Sequence, residues 1–118
     1  MKTFVAVFTG SPEATEASGW NALPEAERKA REAEGVKAWG AWMQANAAAV
    51  VDGGGPLGKT KRVDRHGVSD IRNAMAAYVV IRAASHETAA ALFLDHPHFS
   101  IFPGDGVEIM ERLPVPGQ

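Results

Sequence analysis

The chain has 118 residues, of which 46% are hydrophobic and 22% are charged, and a formal net charge of -2. This balance predicts one folded domain over residues 1–118 and argues against nucleic acid or an anionic membrane as a partner. The sequence contains no cysteine, which excludes disulfide bonds, thiolate nucleophiles and cysteine-based metal centres.

The first half of the chain predicts a strand, a helix and a second strand. Residues 3–9 form an apolar run that ends before Gly10, too short for a signal peptide, and residues 12–19 are small and polar, as in a surface loop or a short helical turn. A helix is predicted from about residue 24 to 47, because its second half places apolar residues at spacings of three and four. Residues 48–52 predict a short second strand.

A glycine run and a charged segment follow the second strand. Residues 53–56 read Gly-Gly-Gly-Pro, which predicts a turn formed by positive φ angles and lacks the lysine of a phosphate-binding loop. Lysine, arginine and aspartate are interspersed over residues 57–68, as in an exposed hairpin or arm that turns at His66 and Gly67.

The last part of the chain predicts a central strand, a helix and a final strand. The central strand covers residues 74–84, and Ser85 is a suitable N-cap for a helix over residues 86–95. His96 and Pro97 end that helix, residues 99–106 form a loop, and residues 107–113 form the last strand.

This order of elements predicts an α+β fold of the ferredoxin-like β-α-β-β-α-β type, with an antiparallel sheet and both helices on one face. Residues 3–9 and 76–83 are apolar on both faces of their strands, so each strand needs a covering layer on both sides. The helices supply only one layer. We therefore expect a homodimer in which two sheets pack face to face, a dimeric α+β barrel.

Several segments together resemble the YCII-related (DGPF-type) domain family. They are the tryptophan-containing first helix, the run Val50–Val51–Asp52 with the glycines after it, and residues 77–83, 95–99 and 107–111. The resemblance covers nearly the whole chain and implies a dimeric α+β barrel that binds a small molecule, in a family without a settled biochemical function.

The chain departs from this family at two positions. The Asp-Gly-Pro-Phe element is reduced to Asp70 followed by Ile71 and Arg72, and Trp39 aligns with a histidine that is a suspected catalytic group in another branch. Chemistry that depends on either motif is therefore not carried over to this chain.

The candidate catalytic residues are His98, His96 and Asp70. The run from residue 95 to 98 is the densest ionisable cluster in the sequence, and an imidazole beside a carboxylate can act as a general acid or base. The alternative is structural: His96 caps the preceding helix, Pro97 ends it, and His98 packs beside Phe99.

The candidate ligand-binding residues are mainly aromatic. Trp39 and Trp42 offer broad faces for a planar ligand, although core packing is the more common explanation for Trp39, which lies on the apolar stripe of the helix. Tyr78 and Arg82 are four residues apart on one strand, so their side chains lie on the same face of the sheet. They either line a polar cavity or form structural pairs. Phe99 follows the histidine cluster and completes the set.

Three functions are compatible with these patterns. The first is a cytoplasmic homodimer that binds a small organic molecule and performs acid-base chemistry with His98 or His96. The second is a binding or interaction module with structural histidines, and the third is a cofactor-independent oxygenase or isomerase. No metal or cofactor is expected, because His96 and His98 have no third ligand at a diagnostic spacing.

Overall fold

A computed structural model describes residues 1–117 of the chain. The elements, in chain order, are β1 Lys2–Thr9, α1 Pro12–Ala17, a 3₁₀ turn Trp20–Ala22, α2 Glu25–Ala45, β2 Val50–Pro56, β3 Thr60–Asp64, β4 Gly67–Ile71, β5 Met75–Ala83, α3 His86–Ala91, α4 Pro97–Ser100 and β6 Gly106–Glu111. Four strands form one sheet in the order β2-β5-β1-β6, with every neighbouring pair antiparallel. The α+β class and the ferredoxin-like order are confirmed.

The two faces of the central sheet differ in burial. Phe4, Ala6 and Phe8 of β1 are fully covered because helices pack on their side of the sheet. Val5 and Val7 alternate with them on the opposite face and are only half buried. The centre of that second face is therefore apolar, with Arg82 and Glu108 nearer its margins, and no layer of this chain covers it among residues 1–117.

The glycine run lies within β2, so the predicted turn at residues 53–56 is wrong. β2 pairs with β5, and its register shifts twice, between Val50 and Asp52 and between Asp52 and Gly55. Of the three glycines only Gly54 has a positive φ, +62°, and its Cα lies so close to the Tyr78 carbonyl that a Cβ would overlap it. The glycines therefore form an irregular edge strand, which is bulged rather than reversed.

The helix predicted over residues 86–95, which is α3, is shorter than expected. The Ser85 hydroxyl caps it as expected, accepting a hydrogen bond from the Thr88 amide, but α3 ends at Ala91. Tight turns follow, and Asp95 adopts a φ of +55°. Part of the predicted loop over residues 99–106 is also helical, because α4 begins at Pro97, where the missing amide hydrogen costs nothing.

The charged segment forms the expected exposed hairpin, which we call the arm. β3 and β4 pair only with each other, from Thr60 opposite Ile71 to Asp64 opposite Gly67. Thr60 is half buried and the other nine strand residues are exposed, so no part of the chain between residues 1 and 117 packs over the hairpin. The arm explains why the radius of gyration, 16.3 Å, exceeds the roughly 13–14 Å of a compact domain of this size.

Candidate functional site

A half-open cavity of about 520 Å³ lies between α2 and the β2, β5 and β1 strands. Its volume is within the usual range for small-molecule sites. The wall is mostly apolar and includes four aromatic residues, Phe8, Trp39, Tyr78 and Phe102, together with one imidazole, that of His98. The residues that line it are Phe8, Val36, Trp39, Gly40, Met43, Gly53, Gly55, Pro56, Ala76, Ala77, Tyr78, Val79, His98 and Phe102.

His98 is held in one orientation by the end of β1. Its Nε2 lies 2.6 Å from the Thr9 carbonyl oxygen, which can only accept, so Nε2 carries the hydrogen. The same carbonyl accepts a hydrogen bond from the Asp105 amide at 2.9 Å, and the Thr9 hydroxyl donates to the Gly106 carbonyl. Thr9 lies at a register shift in the β1–β5 pairing, which sets its backbone apart from the regular ladder.

This hydrogen bond determines the chemistry that His98 can offer. In the neutral ring with Nε2–H, Nδ1 carries a lone pair, and Nδ1 makes no hydrogen bond to any residue in the described part of the chain. The Nε2–Cδ2 edge faces Thr9 and Gly104. We infer that the Nδ1 edge is the one left to the cavity, where it can accept a proton or a hydrogen bond.

Two glycines leave room for the rings of His98 and Phe102 in the cavity wall. A Cβ on Gly104 would overlap the His98 ring, and a Cβ on Gly35 would overlap the Phe102 ring. Gly35 is the one buried residue of α2, because Phe102 packs directly on the helix backbone there. Neither position can therefore take a larger side chain unless a residue of the cavity wall moves.

His96 lies behind the cavity wall and is fully buried. Its Nδ1 accepts a hydrogen bond from the His98 amide at 3.0 Å, which makes His96 the N-cap of α4. The prediction that His96 caps the preceding helix is therefore wrong; it caps the following one. Its Nε2 has no partner within residues 1–117, and desolvation, together with the nearby His98, lowers the pKa of His96 to about 4.

The two tryptophans have different surroundings. Trp39 lines the cavity and packs edge-on to His96 and His98, with ring centroids 4.6 and 5.9 Å away. Trp42 does not line it. Its indole N–H donates to the Leu92 carbonyl at 2.8 Å, so Trp42 joins α2 to the end of α3.

The other candidate residues are dispersed. Asp70 lies on the exposed arm, where it pairs with Lys61 at 2.7 Å, and the structure does not bring it to either histidine. Arg82 is exposed on the uncovered sheet face, and Phe99 is exposed outside the cavity. Tyr78 contributes to the cavity rim, although its pairing with Val7 directs the side chain to the uncovered face.

Thr9 and Phe102 were missed by the sequence analysis. Thr9 acts through its backbone carbonyl, and a main-chain contact leaves no signature in residue type. Phe102 could have been noticed because it precedes Pro103 and Gly104, a turn that brings an aromatic ring back over the helix.

Residues 1–117 contain neither a cluster of potential metal ligands nor a helix able to cross a membrane. No three histidine, aspartate or glutamate side chains are grouped so that they could hold a metal ion. None of the described helices combines the length and the apolar character needed to cross a membrane.

The likeness of this chain to known proteins is one of fold. No protein-family model and no curated protein matches the sequence. Among solved structures, the chain is similar to 5-chloro-2-hydroxyhydroquinone dehydrochlorinase (TftG) from Burkholderia phenoliruptrix AC1100, in complex with 2,5-dihydroxybenzoquinone. The TM-score is 0.52 at 14% sequence identity, over 95% of this chain and 93% of that one, so the fold is shared.

Proposed function

We propose that this protein binds a small planar organic molecule in the cavity beside His98, and that His98 exchanges a proton with it. The observation that carries the proposal is the fixed imidazole: Thr9 holds Nε2–H, and Nδ1 is left to an aromatic-lined cavity. Trp39, Phe8 and Phe102 supply flat surfaces for a ring. The ligand of the structural neighbour TftG is itself a planar hydroxylated ring, which supports the choice of substrate class.

In this proposal the backbone of Thr9 does what the sequence analysis expected of Asp70. A carbonyl that accepts from Nε2–H fixes the tautomer of the ring, as an orienting carboxylate would, but adds no negative charge. His96 is then a capping residue of α4, which holds the His98 backbone in place. Neither Asp70 nor His96 needs to touch the ligand.

We further propose that the protein is a cytoplasmic homodimer of the YCII-related type. The support for the dimer is the half-buried apolar sheet face around Val5 and Val7, which needs a second layer. The support for the compartment is the absence of cysteine from the sequence. Sedimentation of the purified chain at several concentrations tests the dimer: a species of one chain mass at every concentration would contradict it.

The proton-accepting role is tested with a pair of matched ligands. Hydroquinone can donate a hydrogen bond to Nδ1, whereas 1,4-dimethoxybenzene has a similar ring and cannot. Binding is followed by quenching of tryptophan fluorescence, since Trp39 lines the cavity. We expect the parent protein to prefer hydroquinone about fivefold, the value of one ordinary net hydrogen bond.

His98→Gln is the matched variant for this test. A glutamine side chain can place an N–H near the position of Nε2 and keep the bond to Thr9, but it lacks the basic nitrogen. We expect it to bind both ligands equally. A variant that keeps the parent's preference would refute the role of Nδ1, and failure of both ligands to bind the parent would refute this substrate class.

A purely binding function is the second candidate, favoured by the apolar character of the wall. His98 is the only ionisable side chain directed to the cavity among the described residues, because Tyr78 points to the other face. If His98→Gln binds hydroquinone as tightly as the parent does, the binding module is the better description. The aromatic wall also fits a cofactor-independent oxygenase, for which oxygen uptake on adding hydroquinone is the direct assay.

A further inference from the structure

The arm carries a surplus of positive charge that the rest of its own chain does not neutralise. Residues 57–74, which are the β3–β4 hairpin and the short segments on either side of it, contain five lysine or arginine side chains against two aspartates, a net charge of +3. Lys61 and Arg62 are paired with the two aspartates, at 2.7 and 3.2 Å. The remaining three cations have no carboxylate within salt-bridge distance in the part of the chain that the structure describes; they are Lys59, Arg65 and Arg72.

The arm also lacks the packing that a hairpin needs. An isolated pair of strands is only marginally stable in water. Val63 and Val68 form a cross-strand pair near the tip and are 75% and 66% exposed. A surface that covers this pair would stabilise the arm, and no element of residues 1–117 does so.

A second exposed segment has the opposite charge. Residues 11–27 contain four glutamates and no lysine or arginine. All four are exposed, and only one of them is in an ion pair within residues 1–117, the one between Glu25 and Lys29. The first half of α2, which continues this segment, is exposed almost all round. A helix that is polar on all sides either bridges to another unit or is stabilised by i,i+4 ion pairs such as that between Glu25 and Lys29.

The arm and this acidic segment leave the central sheet at the same end. Pro56, before the arm, pairs with Ala77, and Met75, after the arm, pairs with Thr9. The acidic segment begins two residues beyond Thr9. A two-fold axis along the strands, which is part of the proposal below, would place the arm of one copy and the acidic segment of the other at the same end of the assembly.

We propose that the arm docks on the acidic segment, residues 11–27, of a second copy of this chain. The inference rests on the homodimer put forward under Proposed function, and adds which surfaces meet at its periphery. Two-fold symmetry forms the contact twice, so that each copy gives its arm and receives the other's. Opposite charges favour this pairing, and like charges disfavour the pairing of two arms.

Two complementary charge-reversal variants test the contact. The arm variant carries Lys59→Glu, Arg65→Glu and Arg72→Glu, and the segment variant carries Glu13→Lys, Glu16→Lys and Glu27→Lys. Each variant alone places like charges against each other in both contacts of its homodimer. A one-to-one mixture restores opposite charges in both contacts of the heterodimer.

The measurement is sedimentation velocity at low salt and again at about 0.5 M salt, where exposed charges are screened. We expect each variant alone to dimerise at least about tenfold more weakly than the parent at low salt, and the mixture to recover the parent's affinity. Circular dichroism confirms that each variant is folded. The charge-conserving variant with Arg65→Lys and Arg72→Lys is the control and should dimerise like the parent.

The possible failures are distinguishable. If the parent dimerises but neither variant weakens it, or if the mixture does not recover, the arm contact is refuted and the dimer through the sheet face stands. If the parent is monomeric at every concentration, the homodimer itself is refuted and this inference with it.

Discussion

Acid should destabilise this protein through His96, and the effect can be worked out from the structure. The ring is fully buried among aromatic side chains, and its pKa is lowered from 6.5 to about 4 by desolvation and by the neighbouring His98. In the unfolded chain His96 titrates near 6.5. Between pH 6.5 and 4 the unfolded state therefore binds more protons than the folded state, and the free energy of unfolding falls as the pH falls.

The size of the loss follows from the shift. The lowering of the pKa from 6.5 to about 4, at about 1.4 kcal/mol per pH unit, corresponds to about 3.5 kcal/mol in full, of which about 3 kcal/mol is lost by pH 4. The contribution of neutral His96 is complete above pH 6.5 and is lost progressively as the pH drops to 4. Against a typical total of 5–15 kcal/mol, this loss would be easily measured.

The assay is urea unfolding followed by tryptophan fluorescence at pH 7, 6, 5 and 4, at one fixed protein concentration because dimer stability depends on it. His96→Asn is the informative variant, since asparagine is a good N-cap that can still accept from the His98 amide and does not titrate. The His96→Asn variant will be less stable than the parent at every pH because the packing of the ring is lost. The quantity compared is therefore the change in the free energy of unfolding with pH.

We expect the His96→Asn variant to lose about 3 kcal/mol less than the parent between pH 7 and 4. His86→Asn is the control for the loss of an exposed imidazole, because His86 is exposed and bonds the Ile109 carbonyl at 2.7 Å; a change found only in His96→Asn assigns the effect to the buried ring. A His96→Asn variant with the full slope of the parent would refute the reasoning, because carboxylates elsewhere would then account for the acid sensitivity.

Two glycine substitutions make further predictions. Gly104→Ala should cost about 1–3 kcal/mol and weaken hydroquinone binding, because its Cβ overlaps the His98 ring. Gly10→Ala is the control, since it has open space at its Cβ, and it should bind hydroquinone like the parent. Equal binding by both variants would contradict the placement of His98. Gly54→Ala should cost at least about 2 kcal/mol in urea unfolding, because φ is positive and the Tyr78 carbonyl blocks the Cβ; a loss under about 0.5 kcal/mol would show that the edge strand can relax there.

The sequence predicted the fold well because local signals and topology agreed. The Ser85 cap, the apolar runs of the two central strands and the charged arm all lie where they were expected. The glycine run was misread as a turn because a positive φ is shared by turns and bulges. Only the pairing partner, β5, shows that residues 53–56 continue the sheet.

The candidate site was predicted only in part, for physical reasons. His98 and Trp39 line the cavity, but the sequence could not separate them from His96 and Trp42, which lie within a few residues and point into the core. Asp70 was chosen because a carboxylate is a common partner of histidine. The structure supplies a backbone carbonyl from Thr9 instead, and any residue type can provide one.

The bulged outer strand has a consequence for how copies of the chain associate. A sheet can lengthen without limit when the strand at its border offers a straight, regular row of free amides and carbonyls to the next molecule. β2 is a border strand, and its two register shifts and three consecutive glycines interrupt that row. Side-by-side polymerisation is thereby discouraged along this border.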